Sequence, residues 1–502
     1  VRYGFAIDQR TCIGCHACTV ACKTEHEVPV GQFRTWVKYV DQGTFPNNTR
    51  DFGVMRCNHC TDAPCVAICP TQALFKRDDG IVDFDGERCI GCKSCMQGCP
   101  YDAIYIDENT HTAAKCNFCA HRVDEDLEPA CVVVCPTHSI WVGDLDDPDS
   151  GISRLVNSNP VSVRAPEQNT GPNVFYLGAD RAVLDPLAAP VDGSYLFSSP
   201  DPHRAEVSAD LPVDPVTGAR TTLNTPHPRP WGWRVTTYLW TKAVGGGALL
   251  VAALAALVGV DLGVLGTVVA PALGVAGAAV TGALLVWDLK RPERFLYIFL
   301  KPNFRSWLVL GAYTLAGFSL VAGVWLVLGI AVEAGVITSA DTALTVLAVL
   351  GVPAGAMVAG YTGFLFGQAE GRDLWQSPLL FWHLIVQAVM VGAGALVLCG
   401  GGGNGLVVGA LAVATVVHGL MLVLEYGGRH GGRHAASAAH MITHGRYART
   451  FWLGAVAPVV AAAVLAPLGG GVPAVVAGIA VQAALLAYES VFVRAGQDVP
   501  LS

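Results

Sequence analysis

The sequence predicts two unlike halves: a polar, cysteine-rich α+β domain, followed by an all-α polytopic membrane bundle of about eight transmembrane helices. Three observations carry this. Only 14% of the 502 residues are charged and 52% are apolar, where a soluble chain is about a quarter charged. Sixteen of the 17 cysteines lie before position 136. Residues 1–228 hold 18 Lys and Arg against 30 Asp and Glu, a net of −12, while 229–502 hold 14 against 10, a net of +4. Many cysteines can mean a disulfide scaffold, but that class is short and secreted. The acidic total of −8 gives no reason to expect a nucleic-acid partner.

Residues 1–140 form the first expected domain. Cys12 arrives with no basic segment and apolar run before it, and no twin arginine, so no export signal is expected. Residues 141–230 hold 13 of the 29 prolines and no sustained helical period. They read as an irregular linker over the domain surface. Residues 231–495 are the expected membrane domain. Apolar stretches fall near 235–259, 262–287, 306–332, 342–367, 378–400, 405–426, 451–469 and 472–492, each about the 20 residues that cross roughly 30 Å of hydrocarbon. Very short connections in the second and last pairs make seven the competing count.

The cysteines fall into four groups: Cys12, Cys15, Cys18 and Cys22; Cys57, Cys60, Cys65 and Cys69; Cys89, Cys92, Cys95 and Cys99; Cys116, Cys119, Cys131 and Cys135. The first and third have the C-x2-C-x2-C-x3-C spacing of bacterial ferredoxins, in which three close thiolates wrap one cubane and the fourth reaches the next. Pro70, Pro100 and Pro136 follow the last cysteine of their groups, and Lys23 follows Cys22. Sixteen thiolates therefore suit four [4Fe-4S] clusters in a double ferredoxin-like iron–sulfur domain. Structural zinc is the competing reading, since paired C-x2-C units also bind zinc. Zinc has no use for the repeated third and fourth cysteines.

On these groups, and on Pro166-Glu167-Gln168-Asn169-Thr170-Gly171-Pro172 with Phe175-Tyr176, residues 1–180 resemble the four-cluster iron–sulfur subunits of the dimethyl sulfoxide and polysulfide reductase family. That resemblance implies a separate catalytic subunit carrying a molybdenum or tungsten bis-pterin. It also implies that outer groups pair and inner groups pair. One cluster would take Cys12, Cys15, Cys18 and Cys135, and a second Cys22, Cys116, Cys119 and Cys131. A third would take Cys57, Cys60, Cys65 and Cys99, and the last, beside the membrane, Cys69, Cys89, Cys92 and Cys95.

Residues 230–495 resemble the NrfD/polysulfide reductase membrane subunit, on Pro230-Trp231-Gly232-Trp233, on Asp288-Leu289-Lys290-Arg291-Pro292-Glu293-Arg294-Phe295 and on Tyr361-Thr362-Gly363. Such proteins bind quinone (menaquinone or ubiquinone) without haem. Intramembrane ionisable groups are functional candidates by default. The candidate quinone residues are Lys242, Asp288, Arg291, Arg294, Tyr361, His383 and Glu425, set against snorkelling for Lys242 and interfacial ion pairing for Asp288 with the arginines. Trp382 reads as packing, and Cys399 as inert buried filler.

The expected function is an electron-transfer and quinone-reactive subunit of a respiratory oxidoreductase complex, in contact with membrane lipid and the quinone pool. One alternative is a haem b quinol oxidoreductase with His383 and His418 as axial ligands. Another is a redox-driven proton-translocating module of a hydrogenase or multi-cytochrome complex. Counting eight crossings puts all 14 basic residues of the membrane half on the side of the cysteine domain, and only Asp261, Glu333 and Asp341 opposite. The positive-inside rule then predicts a cytoplasmic ferredoxin domain.

Overall fold

A turn that folds a C-x2-C segment around a common centre needs left-handed backbone, which glycine adopts without a Cβ penalty. Gly14 (φ 67°) supplies it in the first cysteine group and Gly91 (φ 68°) in the third. In both groups the residue after the second cysteine is left-handed too, His16 at 62° and Lys93 at 66°. Helices over Ala17–Glu25 and Ser94–Gly98 then carry the third cysteine of each group. The same local device appears twice, as the repeated spacing requires.

The computed structural model describes residues 1–195, 218–225 and 228–502. Strands run over Tyr3–Asp8 (β1), Thr35–Thr44 (β2), Asn47–Arg56 (β3), Leu74–Lys76 (β4), Val82–Phe84 (β5), Ile104–Ile106 (β6), Ala113–Lys115 (β7), Ile140–Asp144 (β8), Val161–Ser162 (β9), Val174–Leu177 (β10), Val191–Tyr195 (β11) and Arg220–Asn224 (β12). Two short hairpins, β4–β5 and β6–β7, follow the second and third cysteine groups, and two four-stranded sheets, β8-β1-β10-β9 and β11-β12-β2-β3, frame them.

The expected irregular linker is corrected here. Within 141–195 and 218–225, β8 and β10 flank β1, with Val142 and Val174 both beside Phe5. Ser150 caps a helix over Gly151–Ser158 by accepting from the Ser153 amide. These strands are two to five residues long, too short to show alternation, and pairing with distant strands makes them. The rest of that expectation, 196–217 and 226–227, lies outside the described residues.

Among the described residues eight helices are long and apolar enough to cross a membrane: Trp233–Leu257, Leu265–Asp288, Trp307–Glu333, Asp341–Gly367, Leu380–Leu398, Gly405–Gly427, Thr450–Leu468 and Val472–Asp498. Their ends lie within a few residues of the expected spans, except that the eighth runs on to Asp498. The first span is the hub, with 78% of its apolar window buried. Its Gly245 faces Gly274 of the second span, Gly246 faces Gly355 of the fourth, and Gly247 faces Ala388 and Gly392 of the fifth. Such small residues let helix backbones touch where lipid offers no hydrophobic drive.

Hydrogen bonds to backbone carbonyls join the halves at the second and third cysteine groups. The Lys290 and Arg291 amides donate to the Gly91 and Ile90 carbonyls, both at 3.2 Å. Asn303 Nδ2 donates to Cys69 O at 2.7 Å, and Ser306 Oγ to Ile68 O at 2.7 Å. Cys399, expected as buried filler, is exposed at the end of the fifth span, on the side away from the cysteine domain.

Candidate metal centres and the adjoining cavity

Folding gathers the cysteines into four nests that mix the sequence groups. Cys12, Cys15, Cys18 and Cys135 line one small cavity, and Cys69, Cys89, Cys92 and Cys95 line another. Between these, Cys22 neighbours Cys116, Cys119 and Cys131, while Cys60 and Cys65 neighbour Cys57 and Cys99. The nests form a continuous row. Cys18 lies within electrostatic reach of Cys131, Cys116 of Cys57, and Cys65 of Cys95.

The donor set fits an anionic multi-iron core. Burial, and after it the neighbouring Cys57 and Cys69 thiols, push Cys60 and Cys92 up to about 12, so thiolates here need bound cationic metal. Backbone amides aim at sulfur in the outer nests: Gly91 and Ala113 at Cys89, both 3.4 Å, and Ser139 at Cys135, 3.3 Å. Among the described residues no three His, Cys, Asp or Glu side chains converge as a single ion requires. In the two outer nests the sulfurs stand around small cavities. Arg56 is fully buried, its NH1 lies 3.3 Å from Cys131 Sγ, and its Nε and NH2 meet no protein acceptor. A buried cation left like this costs several kcal/mol, and a cluster carrying net negative charge, if held beside Cys131, would satisfy it.

Beside the fourth nest lies an apolar cavity of about 520 Å³, within the usual size of a small-molecule site. Cys92, Ser94, Trp231, Tyr238, Asp288 and Tyr361 are among its walls. A second, more polar cavity of about 670 Å³ lies at the seam between the halves, with Lys93, Glu108, His111 and Arg234 among its lining residues. Asp288 borders both chambers.

The seven candidate quinone residues separate into three sets. Asp288 and Tyr361 line the apolar cavity. Lys242 lies under Tyr361, with Nζ 4.5 Å from the ring centre, and donates to Ala359 O at 3.0 Å and to Thr362 Oγ1. It is 2% exposed, so it does not snorkel. Arg291 and Arg294 instead clamp the cysteine domain: Arg291 Nε donates to Thr110 O at 2.8 Å, and Arg294 NH1 to Gly86 O at 2.7 Å and Cys89 O at 3.0 Å. His383 and Glu425 lie elsewhere, paired at 3.1 Å. His383 Nε2 is also 2.8 Å from His418 Nδ1. An iron between two imidazoles needs about 4 Å, twice a metal–nitrogen bond of roughly 2 Å, so these facing nitrogens do not form an axial ligand pair. Trp382 is exposed on the outside of the bundle.

Two profile matches cover most of the sequence. Residues 49–145 match the 4Fe-4S dicluster domain, and residues 221–500 match the polysulphide reductase, NrfD family. The chain is a member of the NrfD polysulphide reductase family, fused behind an iron–sulfur subunit. The ferredoxin half is similar to a subunit of the tetrathionate reductase of Salmonella typhimurium, 46% identical over 37% of this chain and 76% of that protein. It is also similar to one of the polypeptides of the polysulfide reductase of Wolinella succinogenes, 37% identical over 37% of this chain and 98% of that protein. The arsenate respiratory reductase iron–sulfur subunit of a Shewanella species is 34% identical over 35% of this chain and 96% of that protein. The chain is thus an iron–sulfur electron-transfer subunit joined to an NrfD-type membrane subunit of reductase complexes, integral to the membrane.

Sequence reasoning missed Lys93, Tyr238 and Arg56. Tyr238 was open to it: Val235, Tyr238 and Lys242 fall on one face of the first span, and the first two line the cavity. Nothing in the sequence singles out Arg56 or Lys93, whose importance comes from what folds against them.

Proposed function

We propose that this chain carries electrons between a separate catalytic subunit, with a molybdenum or tungsten bis-pterin, and a quinone seated in the apolar cavity beside Cys92. The row of four nests supports four [4Fe-4S] clusters, held by the cysteine sets given above. Bound clusters supply one-electron transfer, whereas a quinone exchanges two electrons and two protons. The chain's own residues serve the protons. Asp288 stands between the polar chamber and the apolar one, and Tyr361 presents a ring braced by Lys242. The outer nest, with Cys15 and Ile13 exposed, faces the catalytic partner. The observation that carries the reading is the continuity of the fourth nest with the cavity, since Cys92 belongs to both.

The test is metal analysis together with electron exchange. The purified chain should hold about 16 Fe and 16 acid-labile sulfides, one cubane per four thiolates. A quinol analogue should reduce the fourth cluster of the oxidised protein, followed by EPR. Zinc in place of iron, two clusters only, or no exchange with quinol defeats the reading.

A second reading rests on one observation. His418, His383, Glu425 and Tyr488 form a buried run through the fifth, sixth and eighth spans, linked at 2.8, 3.1 and 3.1 Å. Groups of this kind inside a membrane mark proton paths, so the membrane half would also move protons as electrons pass. Proton movement into liposomes during quinone reduction, lost in His383→Leu while electron transfer persists, supports it; electron transfer without proton movement rejects it.

A further inference from the structure

Buried charge in the ferredoxin half is distributed unevenly among the nests. Arg56, on β3, and Lys115, on β7, are both 0% exposed. Among the described residues neither forms an ion pair with a carboxylate. Arg56 NH1 points at Cys131 Sγ at 3.3 Å, and its charge also acts on Cys18, Cys22 and Cys116. Lys115 donates to Cys116 O at 2.9 Å and to Val82 O. A ring nitrogen adds a third contact, His26 Nε2 lying 3.1 Å from Cys119 Sγ. All three reach the nest of Cys22, Cys116, Cys119 and Cys131, Lys115 also acting on Cys65 of the neighbouring nest while Arg56 bonds directly to a sulfur of this one. In the nest at the membrane, the buried cation Lys93 is neutralised by Asp288 at 2.7 Å, and Arg294, which also acts on Cys89, is only partly buried.

Cluster potentials depend on net charge, hydrogen bonds to sulfur and solvent exposure. A buried cation favours the more negative, reduced form, and so does each N–H donated to a thiolate. Water would screen this effect, but here the cation is fully enclosed. The orphaned Nε and NH2 of Arg56 are a separate sign of the same thing, because the donors that find no protein acceptor belong to a guanidinium already bonded to a ligand sulfur.

We infer that Arg56 is a positioning residue that holds the second nest at the most positive reduction potential of the row, making it the site where an electron rests between the catalytic partner and the membrane. The inference rests on the four-cluster reading above. It gives the chain a one-electron store between a two-electron quinone and a two-electron substrate.

The experiment is a potentiometric titration of the full chain in detergent, read by EPR, with iron and sulfide counted on each sample. The second cluster's signal is the one altered in Cys22→Ser. In the unmodified chain it should be the first to become reduced. In Arg56→Gln its reduced-to-oxidised ratio at a fixed potential should fall about tenfold, which is about 59 mV for a one-electron couple. Arg56→Lys should restore most of that ratio, and the fourth cluster should not shift. Full iron content with an unshifted second cluster in Arg56→Gln overturns the inference, as does an equal fall in Arg56→Lys. If Arg56→Gln fails to load iron, His26→Leu decides through the same ratio, which should fall. A second cluster that is not reduced first also overturns it. Fewer than four clusters in the unmodified chain defeats the four-cluster reading instead.

Discussion

Lys93 and Asp288 form an ion pair of 2.7 Å across the seam between the two halves, with side chains only 6% and 14% exposed. Lys93 directly follows Cys92, and Asp288 closes the second span. The pair therefore fixes the last thiol of the row against the cavity wall. It also separates the polar chamber from the apolar one, since Asp288 borders both.

Asp288→Asn should leave Lys93 buried without its counter-charge, a change that costs about 3–5 kcal/mol. Thermal unfolding in detergent should show it as a lower midpoint, and quinone turnover should fall. Lys93→Met with Asp288→Leu removes both charges and should recover most of the stability. Turnover should stay low in that double variant, because no carboxylate remains between the chambers. Recovery of turnover along with stability would make Asp288 a structural tie and nothing more.

Gly282 offers a test of the cavity that leaves the clusters alone. It lines the apolar chamber, and a Cβ built there meets nothing within 4 Å. Gly282→Phe should fill space meant for a ring and raise the KM for quinone at least about tenfold, a loss of roughly 1.4 kcal/mol of binding. Iron content and EPR signals should match the parent protein. Unchanged quinone kinetics would place the substrate elsewhere.

The eight spans were legible because apolar length is a property of sequence alone, and the cysteine groups because cluster ligation fixes spacing. The strands of 141–195 were not, since segments such as Val161–Ser162 exist only by pairing with β10. Polar residues of the membrane half could be picked out but not sorted. Asp288, Arg294 and His383 look alike as intramembrane or interfacial ionisable groups. Only the fold shows that one lines the cavity, one clamps Cys89 O, and one faces His418. Cys399 was misjudged because an apolar neighbourhood in sequence does not tell a helix end from its middle.

The glycine seam of the first span should tolerate no branching. A Cβ at Gly247 falls on the Ala388 carbonyl, and one at Gly392 falls on the Gly247 backbone. Gly247→Val should therefore push the first and fifth spans apart, at a cost of at least about 1–3 kcal/mol from overpacking. Thermal aggregation in detergent measures this. Gly282→Ala, in open space, should have no such effect.

The last prediction is the side of the membrane, and Cys399 provides the probe. Of the 14 basic residues in the membrane half, Arg291, Arg294, Arg372 and Arg433 contact the ferredoxin half directly. Docking thus accounts for those four, and Lys290 joins them through its amide to the Gly91 carbonyl. Nine others still share that side, and the opposite side has only acidic charges. Short-loop Lys and Arg bias sets orientation, with the basic side cytoplasmic. This predicts a cytoplasmic ferredoxin half, with Cys399, exposed at the far end of the fifth span, facing outward. A membrane-impermeant maleimide should label intact spheroplasts at Cys399, and Cys399→Ala should abolish that labelling. Inverted vesicles should label at Cys399 only after permeabilisation. The opposite pattern would put the ferredoxin half outside, and the basic side would then owe its charge to docking on an acidic partner.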